Sequence, residues 1–584
     1  MHPPDPATPE AGTLDAAGDR RTTWLLLGII LGAGLVLRLW DIDHALPFVY
    51  TADELRYFVP EAVRFVEEGY LPNRMGGNPP GLAYAFHAVY LAAFGGPEGI
   101  LRAWQASPET LFLIGRVVSA LSGVVAAWLI FLTGTRLFGR RAGLVAAGLM
   151  VIAFLPFVYS RRALADAAQL APLALSLVGS AGILRRGRWT DYAIAGAGLG
   201  LATGTKYLSA IAALPLAAAI LPRFVDRRAW RPALLGAAIA VGAALVGLFL
   251  THPFLLLRWG EVASQVPGLG GRGGGGSPKV GIEPGGGVAY YLLVFTWGIG
   301  WVATGLAVVG AVRLVLRERW TALLLIPAIV AIVMFMGGRP RPFARYVLPA
   351  FPFVILLASA AAGDLLRRAE RLSARARLMG VSLLVVALAG QPLVHVFHHL
   401  RAGGRTDTRE IAAAWMRANV PRGEPILVEP MWIPLDQQTR HRNPRAGPQP
   451  DRSPWRLVDA RALLREEGIA LGRARGGGVD VVGSYRPELL DLLEGEGVCW
   501  VVTSSNQRGR VIRTPHLAPD AAAFYRELDR RARIVHSVVP PRGAGRRPPH
   551  QREWSGTFYD LTLERPGPRV DIHRLGGSRC EGEG

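Results

Sequence analysis

Hydrophobic residues are grouped into long runs over the first 400 residues, and short basic segments separate the runs. Runs of about 17–25 apolar residues with few charges are typical of helices that cross a bilayer. The pattern predicts about eleven spans, which lie at residues 24–40, 116–136, 142–160, 164–184, 190–206, 207–222, 232–251, 288–311, 320–337, 343–363 and 378–398.

Residues 81–97 form a further apolar stretch that is short for a span and contains His87. Pro79 and Pro80 precede it, and proline is favoured at the start of a helix. We interpret the stretch as a helix that lies on the outer membrane face or dips into it. If it crossed the bilayer, every later loop would change sides.

Arginines fix the orientation of the predicted spans. Alternate short loops are rich in arginine, as loops on the cytoplasmic side of a membrane are. These loops contain Arg136, Arg140 and Arg141; Arg185, Arg186 and Arg188; Arg223, Arg227, Arg228 and Arg231; Arg313, Arg317 and Arg319; and Arg367, Arg368, Arg371, Arg375 and Arg377. The rule places the N-terminus in the cytoplasm and the end of the last span outside, in a multi-pass protein of the plasma (inner) membrane.

The same pattern divides the chain into three parts. Residues 1–22 are expected to be a disordered cytoplasmic N-terminus. Residues 23–400 form the membrane domain, which includes a long first outer loop at 41–115, and residues 401–584 form an extracytoplasmic domain. We therefore expect a multi-spanning α-helical membrane protein with a small C-terminal α/β domain.

Composition agrees with a membrane protein and changes the meaning of the charge. Of the 584 residues, 51% are apolar, which is too many for one soluble domain. The formal net charge is +21, which in a soluble protein would indicate nucleic-acid binding. Because the arginines lie between apolar runs, topology explains them better, and no nucleic-acid partner is expected.

The last part of the chain has ordinary soluble composition and alternates between helix and strand patterns. The predicted elements are helices at Thr408–Asn419 and Ala521–Arg533 and strands at Pro425–Glu429, Val498–Thr503 and Phe558–Glu564. Cys499 and Cys580 match no metal-binding pattern. They could form a disulfide outside the cytoplasm, but sequence does not show that they meet.

Charged residues collect at the outer ends of the predicted spans. Carboxylates such as Asp53 and Glu54 are costly at a membrane face unless they are paired or solvated, so they usually have a function. Arg345 belongs to an outer loop where arginine forks either bind phosphate or contact lipid headgroups. Lys206 either holds a second phosphate oxygen or extends to the interface. The glycine-rich loop at 252–287 is either a gate or a linker.

Seven short motifs then resemble those of one known family. In chain order they are Asp53-Glu54-x-Arg56-Tyr57, Asn78-Pro79-Pro80-Gly-Leu, Arg116-Val-Val-Ser119, Phe138-Gly-Arg-Arg141-Ala-Gly, Tyr159-Ser160-Arg161 with Asp166, Gly204-Thr-Lys206-Tyr207, and Arg345-Tyr346-Val-Leu-Pro349. Together they cover residues 20–400 and resemble the membrane glycosyltransferases of the GT-C superfamily. The resemblance is to the branch of the protein O-mannosyltransferases and the lipid A aminoarabinose transferase, glycosyltransferase family 39.

The resemblance implies transfer of a sugar from a polyprenyl-phosphate donor to a protein, lipid or glycan acceptor on the outer face. It implies Asp53 as general base, Glu54 as its support and Asp166 as a second carboxylate. The implied phosphate ligands are Lys206, Arg345, Arg116 and Tyr346, and the implied substrate contacts are Arg56, Tyr57, Asn78, Arg161 and Arg162. Relatives often have His or Lys at the position of Asn78, so the neutral amide departs from the family pattern.

Several alternatives remain open. The resemblance implies no certain cofactor, although paired aspartates can hold a divalent metal. His395, His398 and His399 could bind a metal, but an interfacial polar cluster is favoured. The competing functions are an O-antigen ligase or polymerase-like enzyme with a diphosphate donor, a transporter or flippase, and a membrane-anchored binding protein whose C-terminal domain carries the activity.

Overall fold

The structure is a computed structural model of the 584-residue chain. It describes residues 10–51, 53–69, 78–225, 230–265, 280–281, 287–339, 343–429, 453–470, 485–540, 561–576 and 580. Residues 1–9, most of the 252–287 loop and residues 558–560 of a predicted strand lie outside this part of the chain.

Helices make up most of the membrane domain. Those of the first half are α1 (Glu10–Leu39), α2 (Val59–Glu68), α3 (Gly81–Phe94), α4 (Pro97–Ala106), α5 (Pro108–Phe138), α6 (Arg140–Ile152), α7 (Phe154–Ser160), α8 (Ala165–Ala168), α9 (Leu170–Arg185) and α10 (Trp189–Thr205). They are followed by α11 (Ala213–Val225), α12 (Trp230–Thr251), α13 (Pro253–Leu257), α14 (Trp259–Gln265), α15 (Gly287–Gly298), α16 (Trp301–Arg317), α17 (Arg319–Gly337), α18 (Phe351–Ala369) and α19 (Ala374–Gly403). A π-helical turn occupies Glu54–Phe58, and 3₁₀-helical turns occupy Tyr207–Ala212 and Ala344–Ala350.

Every predicted span is helical, but not every one is a straight helix. Among the described residues, 8 helices are long and apolar enough to cross a membrane, or up to 10 if each of two bent pairs is one span. The bent pairs are the predicted spans 142–160, bent by 57°, and 288–311, bent by 115°. The predicted span 190–206 is the 17-residue helix α10. The helical membrane fold is confirmed, and the number of spans stays a prediction.

Helix α1 begins at Glu10, within the segment 1–22. The predicted domain boundaries stay predictions.

Helix α3 occupies the apolar stretch 81–97. Its 14 residues would extend about 21 Å, short of a hydrocarbon core about 30 Å thick. Phe86 and Tyr90 are fully buried, and the Tyr90 hydroxyl donates to the carbonyl of Leu111 at 2.8 Å. The helix therefore packs against protein along one side, while its shallow position in a membrane stays a prediction.

Small residues let three membrane helices pack closely. A Cβ atom on Gly196 of α10 would lie 1.9 Å from the carbonyl oxygen of Ala240 in α12. One on Gly179 of α9 would lie 2.3 Å from the backbone nitrogen of Ala195. Close backbone approach of this kind stabilises helix pairs in membranes, where the hydrophobic effect between helices is absent. The packing holds the end of α10 in place.

Basic residues from different predicted cytoplasmic loops meet at one end of the bundle. Arg186 and Arg136 both pair with Asp191, at 2.8 and 3.6 Å. Arg185 pairs with Glu318 at 3.2 Å, and Arg313 pairs with the same carboxylate at 3.6 Å. The structure thus brings loops that the arginine pattern assigned to one side into one network.

The C-terminal part is a small α/β domain, as predicted. Its described elements are α20 (Thr408–Asn419), β1 (Pro425–Val428), β2 (Arg456–Leu457), α21 (Ala460–Glu466), α22 (Glu488–Gly495), β3 (Trp500–Ser504), α23 (Arg508–Arg513), α24 (Pro519–Arg531), β4 (Ala532–Val538) and β5 (Val570–Leu575). The sheet order is β2-β1-β3-β5-β4, with β1 parallel to both neighbours and β5 antiparallel to β3 and β4.

Two features of this domain go beyond the sequence prediction. Cys499 and Cys580 form a disulfide, with their Cα atoms 5.4 Å apart. The strand predicted to end at Glu564 is wrong for residues 561–564, which form turns with a single bridge. The strand pairing is made instead by β5, because its fully buried Val570 and Ile572 fill the domain core.

The domain contacts two of the predicted outer loops of the membrane part. The Tyr50 hydroxyl donates to Glu410 at 3.1 Å, and the backbone nitrogen of Gly281 donates to the Thr514 hydroxyl at 2.6 Å. Val280 joins the apolar core of the domain. The first loop, the 252–287 loop and the C-terminal domain therefore lie at the same end of the bundle.

Candidate functional site

Asp53 and Arg345 form an ion pair between the first outer loop and the turn that precedes α18. Asp53 directly precedes the helical turn at Glu54–Phe58, and Arg345 lies in the turn Ala344–Ala350. An Arg345 Nη1–Asp53 Oδ2 distance of 2.7 Å joins them. The Arg345 guanidinium lies over the rings of Phe343 and Tyr346, 5.2 and 5.9 Å from their centroids. The two ring contacts and the carboxylate together restrict its orientation.

Asp166 and Lys206 form a second ion pair. Asp166 belongs to the four-residue helix α8, and Lys206 follows α10 in an extended conformation. Lys206 Nζ donates to Asp166 Oδ1. Only 3% of the Asp166 side chain is exposed, against 15% for Lys206. The carboxylate is thus enclosed, and its ammonium partner is the more exposed of the two groups.

The two ion pairs belong to one cluster. Arg345 lies within electrostatic range of both Asp53 and Asp166, and so does the hydroxyl of Tyr346. Asp53 is the more accessible carboxylate, with 31% of its side chain exposed. The cluster therefore combines two carboxylates, two cations and one phenol, with Asp53 open to an incoming molecule.

Glu54 has a different environment from its neighbour Asp53. Its side chain is 1% exposed, and Arg116 Nε donates to it at 2.8 Å. The backbone nitrogen of Ala163 donates to the same carboxylate at 3.0 Å. Arg116 Nη1 also donates to the carbonyls of Ile42 and His44, each at 2.9 Å. This pair ties the first loop to α5 and to the end of α7, which favours a bracing role for Arg116 over the expected phosphate binding.

Arg161 and Arg162 also hold the first loop. Arg161 is 2% exposed and donates to the carbonyls of Arg38, Trp40 and Asp41, where α1 ends. Basic side chains at helix C-termini satisfy such carbonyls. Arg162 is 6% exposed and donates to the Thr51 hydroxyl. Because both guanidinium groups are buried against the chain itself, the geometry favours a structural role over the expected substrate contact.

The remaining expected contacts surround the cluster. Arg56 is exposed, and Tyr57 is half-buried against the membrane core. Asn78 is half-buried three residues before Gly81, where a Cβ atom would lie 2.5 Å from the carbonyl oxygen of Gly204. This close approach brings the start of α3 to the end of α10, which carries Lys206.

Two polar residues near the cluster were missed by sequence reasoning. The Ser209 hydroxyl donates to Gln169 Oε1 at 2.6 Å, and Gln169 Nε2 donates to the carbonyl of Asp166 at 2.8 Å. Both side chains are fully buried. The available signal was the presence of a polar residue three positions after Asp166 and another three positions after Lys206. The pair links the backbones that carry these two charged side chains.

Metal binding has no geometric support in the part of the chain that the structure describes. There, no group of three or more His, Cys, Asp or Glu side chains is placed to hold a metal ion. His395 and His399 pack instead against the ring of Phe154, with centroids 5.5 and 5.9 Å away.

Comparison with known proteins places this arrangement in context. Residues 111–257 match the family described as dolichyl-phosphate-mannose-protein mannosyltransferase. This range includes Asp166 and Lys206 of the cluster and Arg116, which pairs with Glu54. Among curated proteins, none matches the chain by sequence.

Solved structures are similar to this chain at low sequence identity. The archaeal oligosaccharyltransferase AglB from Archaeoglobus fulgidus, in complex with an inhibitory peptide and a dolichol-phosphate, is 13% identical with a TM-score of 0.50; the match covers 95% of this chain and 89% of that one. ArnT from Cupriavidus metallidurans in the apo state is 19% identical with a TM-score of 0.45, over 68% of this chain and 72% of that one. The family match is confined to residues 111–257, and the likeness to the archaeal structure shows a shared fold.

Proposed function

We propose that this protein moves a sugar from a polyprenyl-phosphate donor to an acceptor hydroxyl on the outer face of the plasma membrane. The observation that carries the proposal is the joined pair of ion pairs, Asp53–Arg345 and Asp166–Lys206. It offers a carboxylate for the acceptor and two cations for a phosphate within one cluster.

The charges of the cluster suggest how the donor engages it. An anionic donor phosphate competes with Asp53 and Asp166 for Arg345 and Lys206, because cations bind phosphate oxygens well. Once Arg345 binds the phosphate, Asp53 loses its cation partner and is able to accept a proton. Donor binding would thereby activate the base, and the fixed guanidinium plane would orient the phosphate.

The reaction then follows as one displacement. The acceptor hydroxyl gives its proton to the Asp53 carboxylate, and its oxygen bonds to the anomeric carbon of the sugar. The bond between that carbon and the phosphate oxygen breaks, and the polyprenyl phosphate leaves with the electron pair. Arg345 and Lys206 stabilise the charge on the leaving phosphate. Asp166 holds Lys206, and Glu54 holds the helical turn that carries Asp53.

Several features support an outer location of the site and of the C-terminal domain. The arginine network lies on other loops, which the positive-inside rule assigns to the cytoplasm. The Cys499–Cys580 disulfide is typical of domains outside the reducing cytoplasm. That domain contacts the first outer loop through Tyr50.

The class of donor can be tested before the sugar is identified. A strain that lacks the protein should accumulate a polyprenyl-monophosphate sugar, which mass spectrometry of its lipid extract identifies. Wild-type protein should clear this lipid, and Asp53→Asn should not, because positioned base catalysis contributes about 10²- to 10⁴-fold. Asp43→Asn is a matched control, since Asp43 is an exposed carboxylate of the same loop.

Three outcomes would contradict the proposal. They are an unchanged lipid pool, accumulation of a diphosphate-linked sugar, and full clearance by Asp53→Asn. A loss in Asp166→Asn comparable to that in Asp53→Asn would indicate a shared two-carboxylate site. A small loss would restrict Asp166 to shaping the site through Lys206.

A further inference from the structure

The C-terminal domain contacts the first outer loop through the side chain of Tyr50, three residues before Asp53. The Arg409 guanidinium carbon lies 3.4 Å from the centroid of the Tyr50 ring, so the two groups are stacked. The Tyr50 hydroxyl donates to Glu410 Oε1 at 3.1 Å. One side chain of the loop is therefore held through its ring and through its hydroxyl by two consecutive residues of α20.

Further hydrogen bonds hold Arg409 and the start of α20 in place. Arg409 Nε and Nη2 donate to the two oxygens of Asp407, at 2.8 and 2.7 Å. Asp407 also accepts from the backbone nitrogen of Arg409 at 2.9 Å and so caps α20. The Thr408 hydroxyl donates to the carbonyl of Pro568 at 2.6 Å. Because side chains held in this way lose little freedom on contact, the stack is preorganised.

Hydrogen bonds of Thr51 connect the segment at Tyr50 to the helical turn that follows Asp53. The next residue, Thr51, is 2% exposed, and its hydroxyl accepts from Arg162. Its carbonyl accepts from the backbone nitrogen of Leu55 at 3.0 Å, two residues beyond Asp53. Asp53 therefore lies between Tyr50, which the C-terminal domain holds, and the turn Glu54–Phe58, which is hydrogen-bonded to Thr51.

We propose that Arg409 and Glu410 are positioning residues, by which the C-terminal domain holds Asp53 opposite Arg345 through Tyr50. This inference rests on the proposed function, in which Asp53 accepts the acceptor's proton. A base must be held in hydrogen-bonding geometry to act, and small displacements reduce turnover more than donor binding. Burial raises the pKa of the Tyr50 hydroxyl well above its ordinary value, so the hydroxyl stays protonated as a donor to Glu410.

The test uses purified full-length protein, the sugar lipid that the deletion strain accumulates, and membranes of that strain as acceptor. Tyr50→Leu and Arg409→Ala should each lower turnover roughly 3- to 30-fold, the range that loss of a cation–π contact predicts. Binding of undecaprenyl phosphate, the probe for the phosphate site, should stay within about twofold of wild type. Tyr50→Phe keeps the ring and should lose less than Tyr50→Leu.

A double-variant cycle separates positioning from general damage. Arg409→Ala leaves Asp407 buried without its partner, whereas Tyr50→Leu leaves the Arg409–Asp407 pair intact. If the contact acts as a unit, adding Arg409→Ala to Tyr50→Leu should cause little further loss. Arg417→Ala, an exposed arginine of the same helix, should behave as wild type.

The possible outcomes are distinct. Turnover of Tyr50→Leu equal to that of Arg417→Ala would overturn the inference, and so would parallel losses of turnover and undecaprenyl phosphate binding. Losses that multiply fully in the double variant would also overturn it. If wild-type protein itself released no polyprenyl phosphate from the sugar lipid, the proposed function would fail instead.

Discussion

Replacing Glu54 by Gln tests whether the residue beside Asp53 braces the site or shares in the chemistry. Sequence reasoning predicted that Glu54 supports or positions Asp53. In the structure its carboxylate is 1% exposed and pairs with an Arg116 side chain that is 3% exposed. A brace predicts a loss of stability, whereas a second base predicts a loss of turnover in a stable protein.

The magnitude follows from burial and bonding. Removing one partner of a buried ion pair costs about 3–5 kcal/mol, because the other charge is left uncompensated. The amide oxygen of Gln can still accept from Arg116 Nε, now 2.8 Å from Glu54 Oε1. The second bond, from Nη2 to Oε2 at 3.3 Å, is lost when an NH₂ group replaces that oxygen. We therefore expect a cost near the lower end, about 3 kcal/mol.

Thermal unfolding of the purified protein in detergent, followed by tryptophan fluorescence, measures this effect. Glu54→Gln should lower the unfolding midpoint clearly. The control is Glu98→Gln, which breaks a surface pair with Arg102 at 3.6 Å whose side chains are 91% and 73% exposed. Such pairs contribute little, so its midpoint should match wild type. Asp53→Asn should also leave the midpoint near wild type while turnover falls.

A double variant sharpens the interpretation. Arg116→Gln combined with Glu54→Gln leaves no uncompensated charge, so the loss should be smaller than the sum of the single losses. Equal midpoints for Glu54→Gln and Glu98→Gln would refute the bracing role. Simple additivity in the double variant would refute the pairing.

Three further predictions concern the phosphate site, the C-terminal domain and the topology. Arg345→Lys keeps the charge but loses the planar fork, so transfer should fall while insertion is normal; unchanged donor affinity and rate in Arg345→Ala would place the phosphate elsewhere. Burial raises the pKa of Glu429 to about 8 from 4.5, so the folded domain retains a proton that the unfolded chain releases. The resulting stability is present below about pH 4.5 and is lost as pH rises through about 8, so the unfolding midpoint of the wild-type domain should fall over this range. Glu429→Gln should reduce this fall, and an equal fall in the variant would contradict the role of Glu429. A membrane-impermeant thiol reagent added to intact cells should label Arg422→Cys but not Arg375→Cys. The reverse result would contradict the proposed location of the site on the outer face of the membrane.

Sequence alone determined the positions of the helices and the end of the bundle where charges collect. Hydropathy is a local property, so the apolar runs identified every predicted span as helical. The loop arginines are also local, and Arg136 and Arg185 do pair with carboxylates at other predicted cytoplasmic loops in the structure. The motif resemblance named the cluster residues because their order along the chain resembles that in a known family.

Tertiary structure decided which charges are buried in contacts with the chain itself. In sequence, Arg116, Arg161 and Arg345 are all arginines near outer helix ends. Only the fold shows that Arg116 and Arg161 are buried against Glu54 and backbone carbonyls, while Arg345 faces a partly exposed Asp53. Such pairing joins segments distant in the chain, so no local pattern encodes it.

The neighbours Asp53 and Glu54 show the same division most directly. Sequence presents them as one acidic pair, yet 31% of the Asp53 side chain is exposed and only 1% of that of Glu54. Consecutive residues of a helical turn point in different directions, so one side chain reaches the open cluster and the other the interior. What each carboxylate meets is set by α5, the end of α7 and the turn before α18, and only the packing of those elements assigns the two residues different roles.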